Sequence, residues 1–298
     1  MKIFLRGLAL GLVLPLCSIP VVQSAKATPA RRDKMAGEKK AGDVLLTTMQ
    51  RELQRATAKL GHLDPAPYFV SYSVYDQEGS VVVGGLGSLL NSTAFRRRTG
   101  QVTMRVGSAA LDNTHQENRY SGLNSGLIPL QDDPDAAARV LWQLTHEEYR
   151  QAAQSYLNVK TAASVRTKEE DTSPDFAEEK PQTHLDYAMP AFHLEQKDWE
   201  DRVRRYSGYF RKYSEIYSSA VMVLGEKTQM RFVSSDGAQL ATPGTIVRLM
   251  IEAETRAEDG MELLRVETFQ AATPDRLPSE AEIAGKIEKM ASDLKALR

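Results

Sequence analysis

The segment Leu144-Thr145-His146-Glu147-Glu148-Tyr149-Arg150 holds the residues in this chain that come nearest to a known catalytic pattern, a histidine followed at once by glutamate. In the zinc signature His-Glu-x-x-His, two imidazoles four residues apart share one helical face and hold the metal, while the glutamate activates a bound water. Here the fourth position after His146 is Arg150 and the fifth is Gln151, so neither that spacing nor the longer His-Glu-x-x-x-His gains a second ligand. The other histidines, His62, His115, His184 and His193, form no helical pair. Nucleophile chemistry has no better footing, because the chain contains no Gly-x-Ser-x-Gly elbow and no Walker loop.

The elements around His146 explain why it stands alone. Asp133 and Pro134 give an N-cap and a proline at the first helical position, opening a long helix whose inner side carries Val140, Leu141, Leu144, Ala152 and Tyr156. At roughly 100° per residue, His146 lies on the solvent side of that helix, flanked by Glu147, Glu148 and Arg150. An earlier helix is capped by Asp43 and buries Leu45, Met49, Leu53, Ala56 and Leu60, with Gly61 past its end. A third starts at Asp198 and buries Trp199, Val203, Tyr206 and Phe210. A fourth opens on the capping box of Ser279 and Glu282 and carries Ile283, Ile287, Met290, Leu294 and Leu297.

Between these helices the period changes to two. YFVSYSVY reads as a strand, DQEG as a turn, and SVVVGGLGSLLNS and FRRRTGQVTMRVG as two further strands of a meander. Consecutive Arg96, Arg97 and Arg98 must point to both faces, which fits an exposed, edge-protecting segment better than a phosphate-gripping row. The last third gives EIYSSAVMVLG, TQMRFVSSDG, TIVRLMIEAETR and MELLRVETF as strands. In the third of these Val247, Leu249, Ile251 and Ala253 face inward, and Asp236-Gly237 and Asp259-Gly260 form tight turns. The class is α+β, with antiparallel meander sheets packed against amphipathic helices in two loosely similar α/β subdomains. The polar stretch 167–182 reads as a mobile surface loop or subdomain link.

Composition narrows the partners. The 298 residues include 38 basic and 39 acidic side chains, so no long-range field draws the chain to nucleic acid. Lys2 and Arg6 precede an apolar run that ends in small residues, which is the pattern of a signal peptide spanning residues 1–24, cleaved after Ser24 or Ala27. The run is short for an uncleaved membrane anchor, the other reading of the same residues. Residues 25–42 form a polar, flexible leader, and the ordered region is expected over 43–298. The expected location is periplasmic or secreted. Loss of the signal removes Cys17, the one thiol, and with it any disulfide or cysteine-ligated metal within the mature chain.

PYFVSYSVYD, LDNT at 111–114, the helix PLQDDPDAAARVLWQLTHEEYRQA, RFVSSDG and AEDGMELLRVETF, taken in order, resemble the N-terminal region of TldD/PmbA-type proteins. These are predicted zinc metallopeptidases, some labelled modulators of DNA gyrase. The resemblance implies a fold and leaves the catalysis elsewhere, since the family's His-Glu-x-x-x-His motif belongs to a separate C-terminal domain and the family position matching His146 carries no zinc role. It further implies that Arg298 falls near the junction of the two halves. On this reading the chain holds no cofactor, and zinc is expected only on a partner, either a TldD/PmbA-type catalytic chain from an adjacent gene or a homologous subunit. A peptide is the substrate to expect. Arg96, Arg98, Asp112 and Asn113 are the candidate contacts to partner or substrate.

Overall fold

The structure, a computed structural model, describes residues 43–115, 122–165, 173–177 and 179–298. The expected signal peptide, its cleavage sites Ser24 and Ala27, and the leader lie outside the described residues.

Helix α1 (Val44–Leu60) begins where Asp43 accepts hydrogen bonds from the amides of Leu45 and Leu46 at 3.1 and 3.0 Å. Strands β1 (Pro67–Gly85) and β2 (Ser88–Ser108) form one long hairpin, followed by β3 (Leu111–Asp112), β4 (Asn124–Leu127) and α2 (Pro134–Val165). The second half runs β5 (Thr183–Leu185), α3 (Gln196–Gly208), β6 (Ser218–Ser234), β7 (Gln239–Arg256), β8 (Glu262–Ala271) and α4 (Glu280–Leu297). Among the described residues eight strands make one sheet in the order β3-β2-β1-β6-β7-β5, with β4 beside β2 and β8 beside β7. Every pairing is antiparallel except that of β5 with β7.

The register places all four helices on one face. Val70, Tyr72 and Val74 of β1 join Val102, Met104 and Val106 of β2 beneath α1 and α2. Val82 of the same strand, with Val221 and Val223 of β6 and Val247, Leu249 and Ile251 of β7, lies beneath α3 and α4. Side chains alternate along a strand, so these even-numbered β1 residues share a face while the odd-numbered ones face away. The two helix pairs therefore share a common sheet rather than each having its own, because β1 pairs with β6 from Ser71 to Gly84.

The hairpin differs from its sequence reading. DQEG is strand interior, and the chain turns at Leu86 and Gly87, both with positive φ. Likewise Glu226-Lys227, left between two strands in the sequence reading, is the middle of one continuous strand, β6. One cause accounts for both. The sheet runs uncovered from one helix pair to the other, and there Asp76, Gln77 and Glu78 of β1 stand opposite Arg98, Arg97 and Arg96 of β2. Polar residues suit a strand wherever no helix covers it. On the other side Gln77 and Glu78 oppose Thr228 and Lys227.

Glu148 is the other departure. Instead of flanking His146 at the surface, it occupies the inward stripe of α2 between Leu144 and Ala152, 1% exposed, and neither carboxylate oxygen has a hydrogen-bond partner among the described residues. His146 itself is exposed. Burial pushes the Glu148 carboxyl up from 4.5 to about 7. The unfolded chain then ionises at lower pH than the folded one, so stability from this site is complete below pH about 4.5 and is lost as pH rises through about 7. The loss is on the order of 3 kcal/mol. Glu148→Met is expected to raise the unfolding midpoint at pH 8 and to change it much less at pH 4.5; equal effects at the two pH values would contradict a buried, unpaired carboxyl.

Candidate functional site

Where the helix pairs part, the sheet floors a groove of about 540 Å³. Glu78 and Ser80 of β1, Arg96 and Ala94 of β2, and Gly225 and Lys227 of β6 form its base, and the segment from Phe192 to Gln196 makes a wall. Gly225 is needed for that wall, since a Cβ there would come 2.5 Å from Leu194 Cδ1. Lys227 Nζ lies 3.4 Å from Glu78 Oε1. Arg96 is exposed at the rim, and among the described residues its guanidinium has no hydrogen bond or ion pair. The groove's imidazole, His193, is solvent-exposed and sits 3.8 Å from Glu195 rather than against a hydroxyl. Such a lining, apolar from Phe192 and Leu194 and charged at Arg96, suits binding of an extended chain more than covalent chemistry. β2 runs beside it with its outer edge unpaired over 89–97 among the described residues.

The remaining sequence candidates sit inside the molecule. Arg98 is 4% exposed, bonded to Asp76 at 2.6 and 3.2 Å and to the Pro129 carbonyl at 3.1 Å, with Asp132 at 3.0 Å. It ties the hairpin to the start of α2. Asn113 completes the sheet where β2 ends, its Oδ1 accepting from the Val106 amide at 2.7 Å.

Asp112 is the hub of a buried polar clasp. Its Oδ2 accepts from Tyr68 Oη and Arg105 Nη1, each at 2.7 Å, and its Oδ1 accepts from the amide and hydroxyl of Thr114, also at 2.7 Å. Burial alone would raise this carboxyl, yet the bonds from Tyr68, Thr114 and Arg105 hold it below the usual aspartate value. Asp175 extends the clasp by accepting from the Asp112 amide at 2.9 Å and meeting His115 Nδ1 at 2.7 Å. Phe176 then packs against Tyr68 and Phe69 and under the Arg105 guanidinium. Residues 173–177, expected as part of a mobile link, are thus pinned to the sheet. The sequence shows Asp175-Phe176 amid acidic and polar neighbours, and nothing local marks them as anchors.

Opposite the helices, the sheet presents Tyr75, Met222, Leu224, Met230, Phe232 and Met250 half-buried among Ser73, Thr99, Gln101 and Thr228. Among the described residues no helix lies on this face. Among them, too, no group of three or more His, Cys, Asp or Glu side chains could hold a metal ion, and no helix is long and apolar enough to cross a membrane.

No protein-family model and no curated protein sequence matches the chain. Solved structures do. TldE from Thermococcus kodakarensis is 11% identical at a TM-score of 0.42, over 83% of this chain and 47% of that one. A proposed modulator of DNA gyrase from Bacteroides thetaiotaomicron is 10% identical at 0.42, over 81% and 49%. Another from Thermotoga maritima is 12% identical at 0.39, over 79% and 46%. The structural neighbours are thus of the TldD/PmbA type, and the chain spans about half the length of each.

Asp112→Ala would leave Arg105 and Tyr68 facing an empty site and is expected to destabilise the fold by about 3 kcal/mol in urea titration. Arg96→Ala should stay within about 0.5 kcal/mol. The reverse order would mean that Arg96 is structural and Asp112 free for a ligand.

Proposed function

We propose that this chain is the exported, non-catalytic half of a TldD/PmbA-like metallopeptidase. Its groove shapes part of a peptide-binding cavity, and the bare face of its sheet docks the chain that carries zinc. The observation carrying this reading is the one-sided cladding of the sheet, with four helices on one face and a mosaic of Tyr75, Met222, Leu224, Met230, Phe232 and Met250 on the other. Apolar side chains left without a covering layer suit an interaction site, and burying them contributes about 25 cal/mol per Å². The order of family-like segments in the sequence supports the choice of partner. A peptide in the groove would add main-chain pairing along the open edge of β2, with Arg96 placed to meet an acidic group.

A free-standing periplasmic binding or scaffold module is the second reading. What favours it is α4, whose Ile283, Ile287, Met290 and Leu294 are buried within this chain, leaving Leu297 as the exposed large apolar residue of that helix. Co-expression with a neighbouring-gene product bearing His-Glu-x-x-x-His separates the two. The first reading expects the chains to co-purify, and expects Met222→Glu to weaken the complex at least about tenfold without lowering the melting temperature. A monomer indifferent to that product would favour the module.

A further inference from the structure

β8 closes one side of the sheet. It pairs with β7 from Glu262 to Ala271 and, among the described residues, with no strand on its outer edge. Such an edge is a template for another strand, and monomeric proteins blunt it with charges, proline, bulges or brevity. β8 has no proline, and its ladder to β7 runs ten pairs without a register shift. Leu264 and Val266, 49% and 45% exposed, stand on the bare face. Arg265 and Glu267 alternate with them on the helix-bearing face, where Lys286 of α4 lies 3.9 Å from Glu267.

This spacing selects a second copy as the occupant. Two β8 strands paired antiparallel about a two-fold axis normal to the sheet keep their faces, so directly opposed residues share a face and each register centres on one residue and its copy. Centring on Arg265 or on Glu267 sets a charge against itself. Leu264 as the centre opposes Arg265 to Leu263 and Glu262 to Val266, while Thr268 opposes Glu267 to Phe269. Only Val266 sets Arg265 against Glu267 twice over, with Leu263 against Phe269 and Leu264 against Thr268. Opposite charges directly across strands stabilise a pair and like charges destabilise it.

We propose that two copies of this chain join through antiparallel β8 strands centred on Val266, forming one continuous sheet across the dimer. The bare faces then lie side by side, with the two Val266 side chains meeting at the axis. This interface is separate from the docking of a catalytic chain, and Met222 lies two strands in from it.

Sedimentation equilibrium on the purified chain tests the proposal. The dimer is expected at micromolar concentration, and Arg265→Glu should raise its dissociation constant at least about tenfold by placing like charges opposite at both symmetric positions. Adding Glu267→Arg should restore the dimer. In a Cys17→Ser background, Val266→Cys should form an intermolecular disulfide on mild oxidation. Met222→Glu should leave the dimer intact. A chain that is monomeric throughout, a dimer that Arg265→Glu does not weaken, or a double variant that fails to recover would overturn it.

Discussion

The antiparallel pairing of β1 with β6, continuous from Ser71 to Gly84, is the constraint that joins two apolar clusters into one molecule. Each cluster lies under its own helix pair, and neither is closed by the nearest strands alone. Val233 of β6 completes the core under α1 and α2, while Val82 of β1 completes the core under α3 and α4. Exchange of one buried side chain in each direction is possible only because both strands are long enough to cross the whole sheet.

That crossing has a chemical signature. Between the clusters the strands pass through a polar belt, where acidic residues of β1 face basic residues of β2 and β6. Arg98 meets Asp76, and Lys227 meets Glu78. The belt keeps the strands paired without a helix above them and leaves the space that becomes the groove. Arg96 is on the same belt but reaches solvent. The groove is therefore a product of how the two cores are spaced, with its charges set by strand register.

Much of the architecture was legible because local physics agreed with the tertiary fold. Asp43, Pro134 and the Ser279/Glu282 box start helices where caps should, and the alternating residues of β7 are buried as their period requires. The belt was not legible, because DQEG carries turn chemistry and its strand identity comes from Arg98 and Thr228 on neighbouring strands. Glu148 could have been found: it stands four residues from both Leu144 and Ala152 on the buried stripe, and its charge concealed that spacing. The clasp of Asp112 with Tyr68, Arg105 and Asp175 depends on contacts distant in sequence. Arg96 was legible as an exposed cation, whereas Arg98, two residues on, is held inside by Asp76, a partner that position alone does not reveal.

A protein clad on one side of its sheet can offer surface to a partner without rearranging its core, provided that the two clusters act as a single cooperative body. The two tryptophans allow that to be measured, since Trp142 lies in α2 beneath the Arg55 guanidinium of α1 and Trp199 in α3 within the second cluster. In Trp142→Phe and Trp199→Phe variants the surviving tryptophan reports on its own half. Within each variant, fluorescence and far-ultraviolet circular dichroism should follow one shared urea transition, because β1 and β6 belong to both cores. Fluorescence that departs from dichroism in either variant, one half melting while the other holds, would contradict the single fused sheet.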